Sequence, residues 1–225
     1  FERLTAARQW TQSLLSTDPR KVCVVSAPEL DSALADAVLE AVLMALFAAA
    51  CPLPTRKADA EPTPALERID CFGGHAKLPI ARLRAHTQGN HLARWLTQLP
   101  GNELRPGDYR AIATTLAKRH GWKTEFLDRR ALKRQQAGAF LAVTQASATD
   151  DAGLLRLSYR PKGRTQKPKL ALVGKGICFD TGGVNLKSAK SMHGMHEDME
   201  GSAVALGTLL ALSLLQVDFA VDCWL

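Results

Sequence analysis

The segment LALVGKGICFDTGGVNLKSAKSMHGMHEDMEGSAVALGTLLAL, residues 170–212, predicts an apolar strand, a glycine-rich turn, a polar loop and a buried helix in succession. The strand is Leu170–Val173, and the nearly all-apolar helix is Ser202–Leu215. Polar residues that follow a buried parallel strand usually line a site, because α/β sheets place pockets at the carboxyl ends of their strands. We therefore expect one side of an active site in the loop, which holds Lys175, Asp180, Lys187 and Asp198 beside paired glycines.

Alternating strand and helix patterns outside this segment predict an α/β fold. Other strands are expected at Lys21–Ser26, Leu66–Phe72, Trp122–Leu127, Ala139–Thr144, Leu154–Tyr159 and Phe219–Leu225. Helices are expected at Pro28–Ala50, His86–Leu99, Tyr109–His120 and Arg129–Gln136, with Asp108 as a cap. The apolar strand Leu170–Val173 is typical of a sheet covered on both faces. The final strand is expected to lack a neighbour on one side.

Composition is that of a soluble globular protein, with 46% hydrophobic and 23% charged residues among 225. Every apolar run of 18 or more residues contains a charge, and the best candidate span, Ala41–Leu53, is too short, so no membrane span is predicted. No signal peptide is visible at Phe1–Trp10, and the five widely spaced cysteines fit reduced thiols, so we expect a cytoplasmic protein. The absence of an initiator Met suggests that residue 1 is not the biological start.

The net charge of +7 leaves a nucleic-acid partner to consider. Basic residues cluster at Arg129–Arg134 and Arg160–Lys169, but no aromatic residues interleave with them to stack on bases. Solvated surface loops are the simpler interpretation of these clusters. Nucleotide binding at GKG is disfavoured, because the chain has no Walker loop and Phe179 stands where GxGxxG requires its third glycine.

A metal site agrees better with the residues of the loop. Asp180 and Asp198 are hard oxygen donors suited to Zn²⁺, Mn²⁺ or Mg²⁺. Lys175 and Lys187 could each donate a neutral nitrogen to a metal or stabilise an oxyanion as a cation. The alternative is two structural Asp–Lys ion pairs that cap a strand and a helix. His193 and His196 lack further patterned ligands, and Cys178 lacks a patterned histidine partner, so neither group is assigned a role in catalysis.

Three motifs together resemble the leucine (cytosol) aminopeptidase family. They are VGKGICFDTGG at residues 173–183, Leu186-Lys187, and EDMEGSA at residues 197–203. Upstream, residues 95–122 resemble the segment that opens the family's catalytic domain, and residues 139–147 fit the strand that follows it. The resemblance covers about residues 92–225 and is weaker over Lys21–Ala50.

The resemblance implies an α/β fold in three parts: a truncated small α/β domain over residues 1–85, a linking helix over 86–99, and the first part of a mixed-sheet catalytic domain over 100–225. It implies two divalent metal ions, Zn or Mn with Mg as another option, and hydrolysis of the amino-terminal peptide bond. A homohexamer acting on peptides is also implied.

Residue roles follow from the resemblance in the same way. Lys175 corresponds to a lysine that ligates one metal as a neutral amine, Asp180 to an aspartate that bridges both metals, and Asp198 to a further carboxylate ligand. Lys187 corresponds to the lysine that polarises the substrate carbonyl. Met192 and Met195 fall where side chains line the substrate pocket.

The sequence also departs from the family. The second family signature, NTDAEGRL, with further metal ligands, does not occur among the 225 residues, so this chain is expected to be an incomplete enzyme. Ser188, Ser191 and Glu200 replace a proline, a glycine and a small residue that are usual at those positions. Two alternatives therefore remain: a non-catalytic protein that binds nucleic acid or an acidic partner, and a two-metal hydrolase of another substrate class.

Overall fold

The computed structural model describes residues 2–26, 32–56, 66–73, 78–145, 147, 149–162 and 167–225. These residues form two compact units, Phe1–His91 and Leu92–Leu225. The division falls inside helix α3 (Ile80–Thr97), which begins six residues before the predicted start at His86. The domain boundaries expected after residues 85 and 99 bracket this division.

The first unit contains α1 (Glu2–Leu15), β1 (Lys21–Val25), α2 (Ser32–Ala50) and β2 (Arg68–Phe72), with the start of α3. Strands β1 and β2 pair in parallel, from Lys21 opposite Arg68 to Val25 opposite Phe72. Parallel neighbours need a crossover, and α2 lies in the connection between them. The predicted strands and helix of this region are therefore confirmed where the structure describes them.

Helix α2 is the core helix of the first unit. Its residues Leu39, Leu43 and Leu46 are buried, and they pack in clusters that include side chains of β1 and β2. Among the described residues, Ala33–Ala50 of α2 is the one helical stretch with the length and composition to cross a membrane, at a mean hydropathy of 2.0. Core helices of soluble proteins share these properties, and Glu40 of α2 accepts two hydrogen bonds from Arg82, at 2.7 and 2.8 Å.

The second unit is built on a four-stranded mixed sheet. Its strands are β3 (Lys123–Asp128), β4 (Gly153–Tyr159), β5 (Leu170–Val173) and β6 (Val221–Trp224), in the spatial order β3-β4-β6-β5. The β5–β6 pair is parallel and the other two pairs are antiparallel. The helices are α4 (Pro106–His120), α5 (Arg129–Arg134), α6 (Gly138–Thr144), α7 (Ala189–His193) and α8 (Glu200–Leu214), with a 3₁₀ turn at Met195–Glu197.

The core of the second unit lies on one face of this sheet. Alternate residues Leu155 and Leu157 of β4 and Val221 and Cys223 of β6 are buried together with residues of α4 and α8. The intervening residues occupy the other face, where Asp222 is only 3% exposed among arginines. The period of two along each strand therefore separates an apolar face from a charged one.

Two local predictions are wrong. Ala139–Thr144, expected as a strand, lies in helix α6, where the Thr144 hydroxyl donates to the Phe140 carbonyl. Asp108 is not the cap residue, because α4 begins at Pro106 and the Asp108 carboxylate accepts from the Arg105 backbone amide at 3.1 Å. The first error comes from a short signal, since a brief apolar run is compatible with either a strand or a helix. The second follows from placing the start of α4 at Tyr109 instead of Pro106.

The expectations for the last strands are also corrected. Strand β5 is not covered on both faces among the described residues, since Val173 is 80% exposed. Strand β6 has a neighbour on each side, because it inserts between β4 and β5. The outer strands of the described sheet are β3 and β5.

Candidate functional site

The site begins where β5 meets the first turn of α8. A Cβ atom on Gly174 would lie 2.4 Å from the Cα of Ser202, so only glycine permits this approach. One residue later, the carbonyl of Lys175 accepts a hydrogen bond from the Ser202 amide at 2.9 Å. The end of the strand and the start of the helix are thus joined through backbone atoms.

This junction brings Lys175 and Asp198 together from opposite ends of the loop. Lys175 Nζ lies 2.7 Å from Asp198 Oδ1, and the lysine side chain is 62% exposed while the aspartate is mostly covered. Asp198 follows the 3₁₀ turn and precedes α8 by two residues. The sequence separates the two residues by 23 positions, and the strand–helix contact closes that distance.

A second lysine–aspartate pair forms within the loop itself. Lys187 Nζ donates to the backbone carbonyl of Asp180 at 2.8 Å and also to its carboxylate. The Gly182 amide donates to Asp180 Oδ1 at 2.9 Å. Gly182 has φ 88°, and a Cβ there would lie 2.4 Å from the Asn185 carbonyl oxygen, so glycine makes this tight return of the chain sterically allowed.

The two pairs lie within electrostatic range of each other. The hydrogen bond from Lys187 lowers the pKa of Asp180 most, followed by the bond from the Gly182 amide, and the charge of Lys175 adds a smaller effect in the same direction. Lys175 therefore acts on Asp180 as well as on Asp198. The four residues singled out from the sequence form one cluster of alternating charge.

The donor types in this cluster suit a hard divalent cation. Asp180 and Asp198 supply carboxylate oxygens, and Lys175 supplies a nitrogen when it is unprotonated. Within the described part of the chain, no group of three or more His, Cys, Asp or Glu side chains is arranged to hold a metal. The donor types of Lys175, Asp180 and Asp198 therefore suit part of a metal shell and not a complete one. The arrangement also agrees with the ion-pair alternative that the sequence left open.

The methionine, histidine and cysteine side chains near the cluster differ in how far they are buried. Met195 is buried and Met192, on α7, is partly buried, whereas Met199 is fully buried in the core. His196 Nε2 lies 3.8 Å from Glu197 Oε1. The side chain of His193 is exposed. Burial raises the pKa of the Cys178 thiol to about 12, so this cysteine is not a thiolate nucleophile at neutral pH.

Sequence reasoning missed two residues beneath the cluster. Tyr109 of α4 and Ser202 of α8 are both buried, and their hydroxyl oxygens lie 3.0 Å apart. A serine at the start of an otherwise apolar helix was the available signal, because a buried hydroxyl needs a partner. The partner lies 93 positions away and carries no local signal.

Comparison with known proteins identifies relatives of the second unit. The model of the cytosol aminopeptidase family, catalytic domain, matches residues 91–225. A probable cytosol aminopeptidase of Corynebacterium glutamicum is 42% identical over 134 residues, which are 60% of this chain and 26% of that protein. One from Prochlorococcus marinus is 37% identical over 185 residues, covering 81% of this chain and 36% of that protein.

Solved structures of similar fold cover the chain more completely. A mutant of tomato leucine aminopeptidase has a TM-score of 0.82 at 23% identity, covering 99% of this chain and 44% of that one. The bottromycin maturation enzyme BotP, in complex with Mn, has a TM-score of 0.77 at 24% identity, covering 99% and 46%. The Coxiella burnetii cytosol aminopeptidase has a TM-score of 0.69 at 26% identity, covering 84% and 39%.

These matches extend over only part of each relative. The chain spans about a quarter to a third of the length of the curated relatives it matches. The family match nevertheless includes every residue of the lysine–aspartate cluster and the strand, helix and loop that position it. The chain therefore belongs to the cytosol aminopeptidase family, with residues 91–225 matching its catalytic domain.

Proposed function

We propose that the complete protein containing this chain is a two-metal aminopeptidase that removes the amino-terminal residue of peptides. The supporting observation is the cluster of Lys175, Asp180, Lys187 and Asp198 at the end of β5, in a chain that belongs to this family. Because the chain spans a fraction of its relatives' length, the activity is proposed for the whole protein.

Lys175, Asp180 and Asp198 would hold part of the metal shell, with Asp180 shared between two ions. Zinc or manganese is the proposed metal, with magnesium as the other option; a protein of similar fold is described in complex with Mn. When bound, such ions polarise a carbonyl and activate water. The ligands that complete the shell are assigned to parts of the protein outside these 225 residues.

Lys187 has the other electrostatic role in this proposal. Its ammonium group is already fixed by the carbonyl and carboxylate of Asp180, so little reorganisation is needed before it stabilises negative charge. Met192 and Met195 are proposed to line the pocket for the first side chain of the substrate. Their flexible thioether chains adapt to apolar groups of different shape.

The cellular setting is proposed from the relatives. Several of them are named cytosol aminopeptidases, which supports a cytoplasmic enzyme acting on peptides. A homohexamer is proposed by resemblance, and light scattering on the complete protein measures it directly. Nucleic acid is not proposed as a partner.

The test uses the complete protein, leucine p-nitroanilide and either Mn²⁺ or Zn²⁺. We expect turnover that a chelator abolishes, and Lys187→Ala should reduce kcat about 10²- to 10³-fold while metal content stays unchanged. Lys190→Ala is the matched control, because Lys190 is an exposed lysine on α7 close in sequence. Metal binding without turnover would favour the binding-protein alternative, and normal turnover by Lys187→Ala would contradict the role of Lys187.

A further inference from the structure

A buried pair of hydroxyl groups lies directly behind the junction that carries Lys175 and Asp198. Ser202 is fully buried in the first turn of α8, and its Oγ lies 2.7 Å from the Met199 carbonyl and 3.0 Å from the Tyr109 hydroxyl. A carbonyl only accepts and a serine hydroxyl has one proton, so Ser202 donates to Met199 and Tyr109 donates to Ser202. Helix α4 and the amino-terminal end of α8 thus meet at one oxygen atom.

The same serine holds the backbone of the site. Its amide donates to the Lys175 carbonyl at 2.9 Å, and its Cα faces Gly174 at a separation that excludes any larger residue. Met199, whose carbonyl it binds, directly follows Asp198. A displacement of Ser202 would therefore change the separation between Lys175 and Asp198.

The buried position of Tyr109 suits it to hold the Ser202 side chain in place through their hydrogen bond. It lies on the buried side of α4, within the core cluster that contains α8 and the sheet. Burial raises the pKa of its hydroxyl more than the hydrogen bond with Ser202 lowers it, so the hydroxyl is protonated at neutral pH.

We propose that Tyr109 and Ser202 form a positioning pair that sets the spacing of Lys175 and Asp198 for metal binding. This rests on the proposed aminopeptidase function for its catalytic consequence, though not for its structural one. Neither hydroxyl touches substrate or metal in this proposal. The pair acts through backbone atoms of Lys175 and Met199.

The test is a double-mutant cycle in the complete protein, with Tyr109→Phe, Ser202→Ala and both together. Ser202→Ala alone leaves the Tyr109 hydroxyl buried without a partner, whereas the double variant removes both polar groups. Thermal stability should therefore fall in Ser202→Ala and largely recover in the double variant. If the pair positions the site, Mn²⁺ affinity and kcat should not recover with it, and should stay about tenfold below wild type, the equivalent of one hydrogen bond.

The matched control is Tyr159→Phe. Tyr159 also donates a hydrogen bond from a phenolic hydroxyl, to the Val217 carbonyl at 2.9 Å, but it does not contact the junction. This variant should change Mn²⁺ affinity and KM by less than about twofold even where it lowers the melting temperature. KM should also stay close to wild type in the double variant, because the pair acts on metal ligands and not on the substrate pocket.

A readout in the metal-free protein separates this inference from the proposed function. Exchange of the backbone amide of residue 202 should be about tenfold faster in the double variant than in wild type, and unchanged in Tyr159→Phe. If wild type does not hydrolyse leucine p-nitroanilide, the proposed function fails while exchange still tests the pair. Unchanged exchange in the double variant, or recovery of Mn²⁺ affinity and kcat together with stability, would overturn the positioning role.

Discussion

Asp222 illustrates how single residues of the sheet stabilise a buried charge. Burial alone would raise the pKa of this carboxyl, but hydrogen bonds from Arg156, Ser158 and Arg160 outweigh that effect and hold the pKa below its usual value. The Arg156 guanidinium also lies 5.2 Å from the ring centroid of Trp224. The charge is therefore compensated on the sheet face opposite the core.

Replacing Asp222 with Asn should lower the free energy of unfolding by about 3 kcal/mol at neutral pH, because Arg156 and Arg160 lose the buried carboxylate that they share. Since folding lowers the pKa of Asp222, its contribution is fully present above the unfolded-state pKa and is lost as the pH falls through the folded-state pKa. Urea unfolding at neutral and acid pH measures both effects. Glu125→Gln is the control, and should cost less than about 1 kcal/mol because that ion pair with Arg156 is largely exposed. Equal losses in the two variants would contradict this account.

Asp180 is the residue whose loss should affect both proposed metals. In the complete protein, Asp180→Asn should reduce bound metal at both positions, because a shared carboxylate neutralises two cations together. Metal analysis by mass spectrometry measures this, and Asp218→Asn provides a control at an exposed aspartate. Two metals bound with wild-type affinity in Asp180→Asn would show that Asp180 has no bridging role.

At the scale of elements, the contact between β5 and α8 depends on Gly174. Gly174→Ala should separate the strand end from the helix, because its Cβ would meet backbone atoms of Ser202 and Gly201 at 2.4–2.7 Å. We expect destabilisation of about 2 kcal/mol, typical of overpacking in a tight core.

Gly176→Ala is the matched control for this change. A Cβ at Gly176 would meet the Ser202 side chain at 3.4 Å, which is ordinary contact, so thermal unfolding should change little. A melting temperature for Gly174→Ala equal to that of Gly176→Ala would mean that the junction is not close-packed.

Several elements could be predicted from the sequence, including the short strands β5 and β6, whereas the longer helix α1 was not predicted. The long apolar run correctly predicted helix α8. Gly121, which is the left-handed cap of α4, correctly predicted where that helix ends. Helix α6 was missed because seven residues with Val and Thr do not establish a period. The pairing of Lys187 with Asp180 is local and follows from the glycine turn. The Tyr109–Ser202 contact was not predicted, because it depends on how α4 and α8 pack.

For the whole molecule, the partial match to the family has a direct consequence for activity. The 225-residue chain produced alone should show no turnover of leucine p-nitroanilide with Mn²⁺ or Zn²⁺, because the residues that the structure describes bring together too few carboxylates for two complete metal shells. The complete protein, assayed in parallel at equal concentration, is the control. Turnover that co-elutes with the 225-residue species in size-exclusion chromatography would disprove this expectation.

The position of β6 in the sheet also matters while the protein is being synthesised. Strand β5 pairs only with β6 among the described strands, and β6 follows it by about 50 residues, so the ribosome must add Val221–Trp224 before β5 gains a neighbour. Until then, the loop that contains Asp180 follows a strand without a neighbour, and α8 cannot pack against the complete sheet. Such late, long-range pairing slows folding and prolongs exposure of apolar surface. A nascent chain stalled before residue 221 is therefore the form of this protein that should depend most on chaperones.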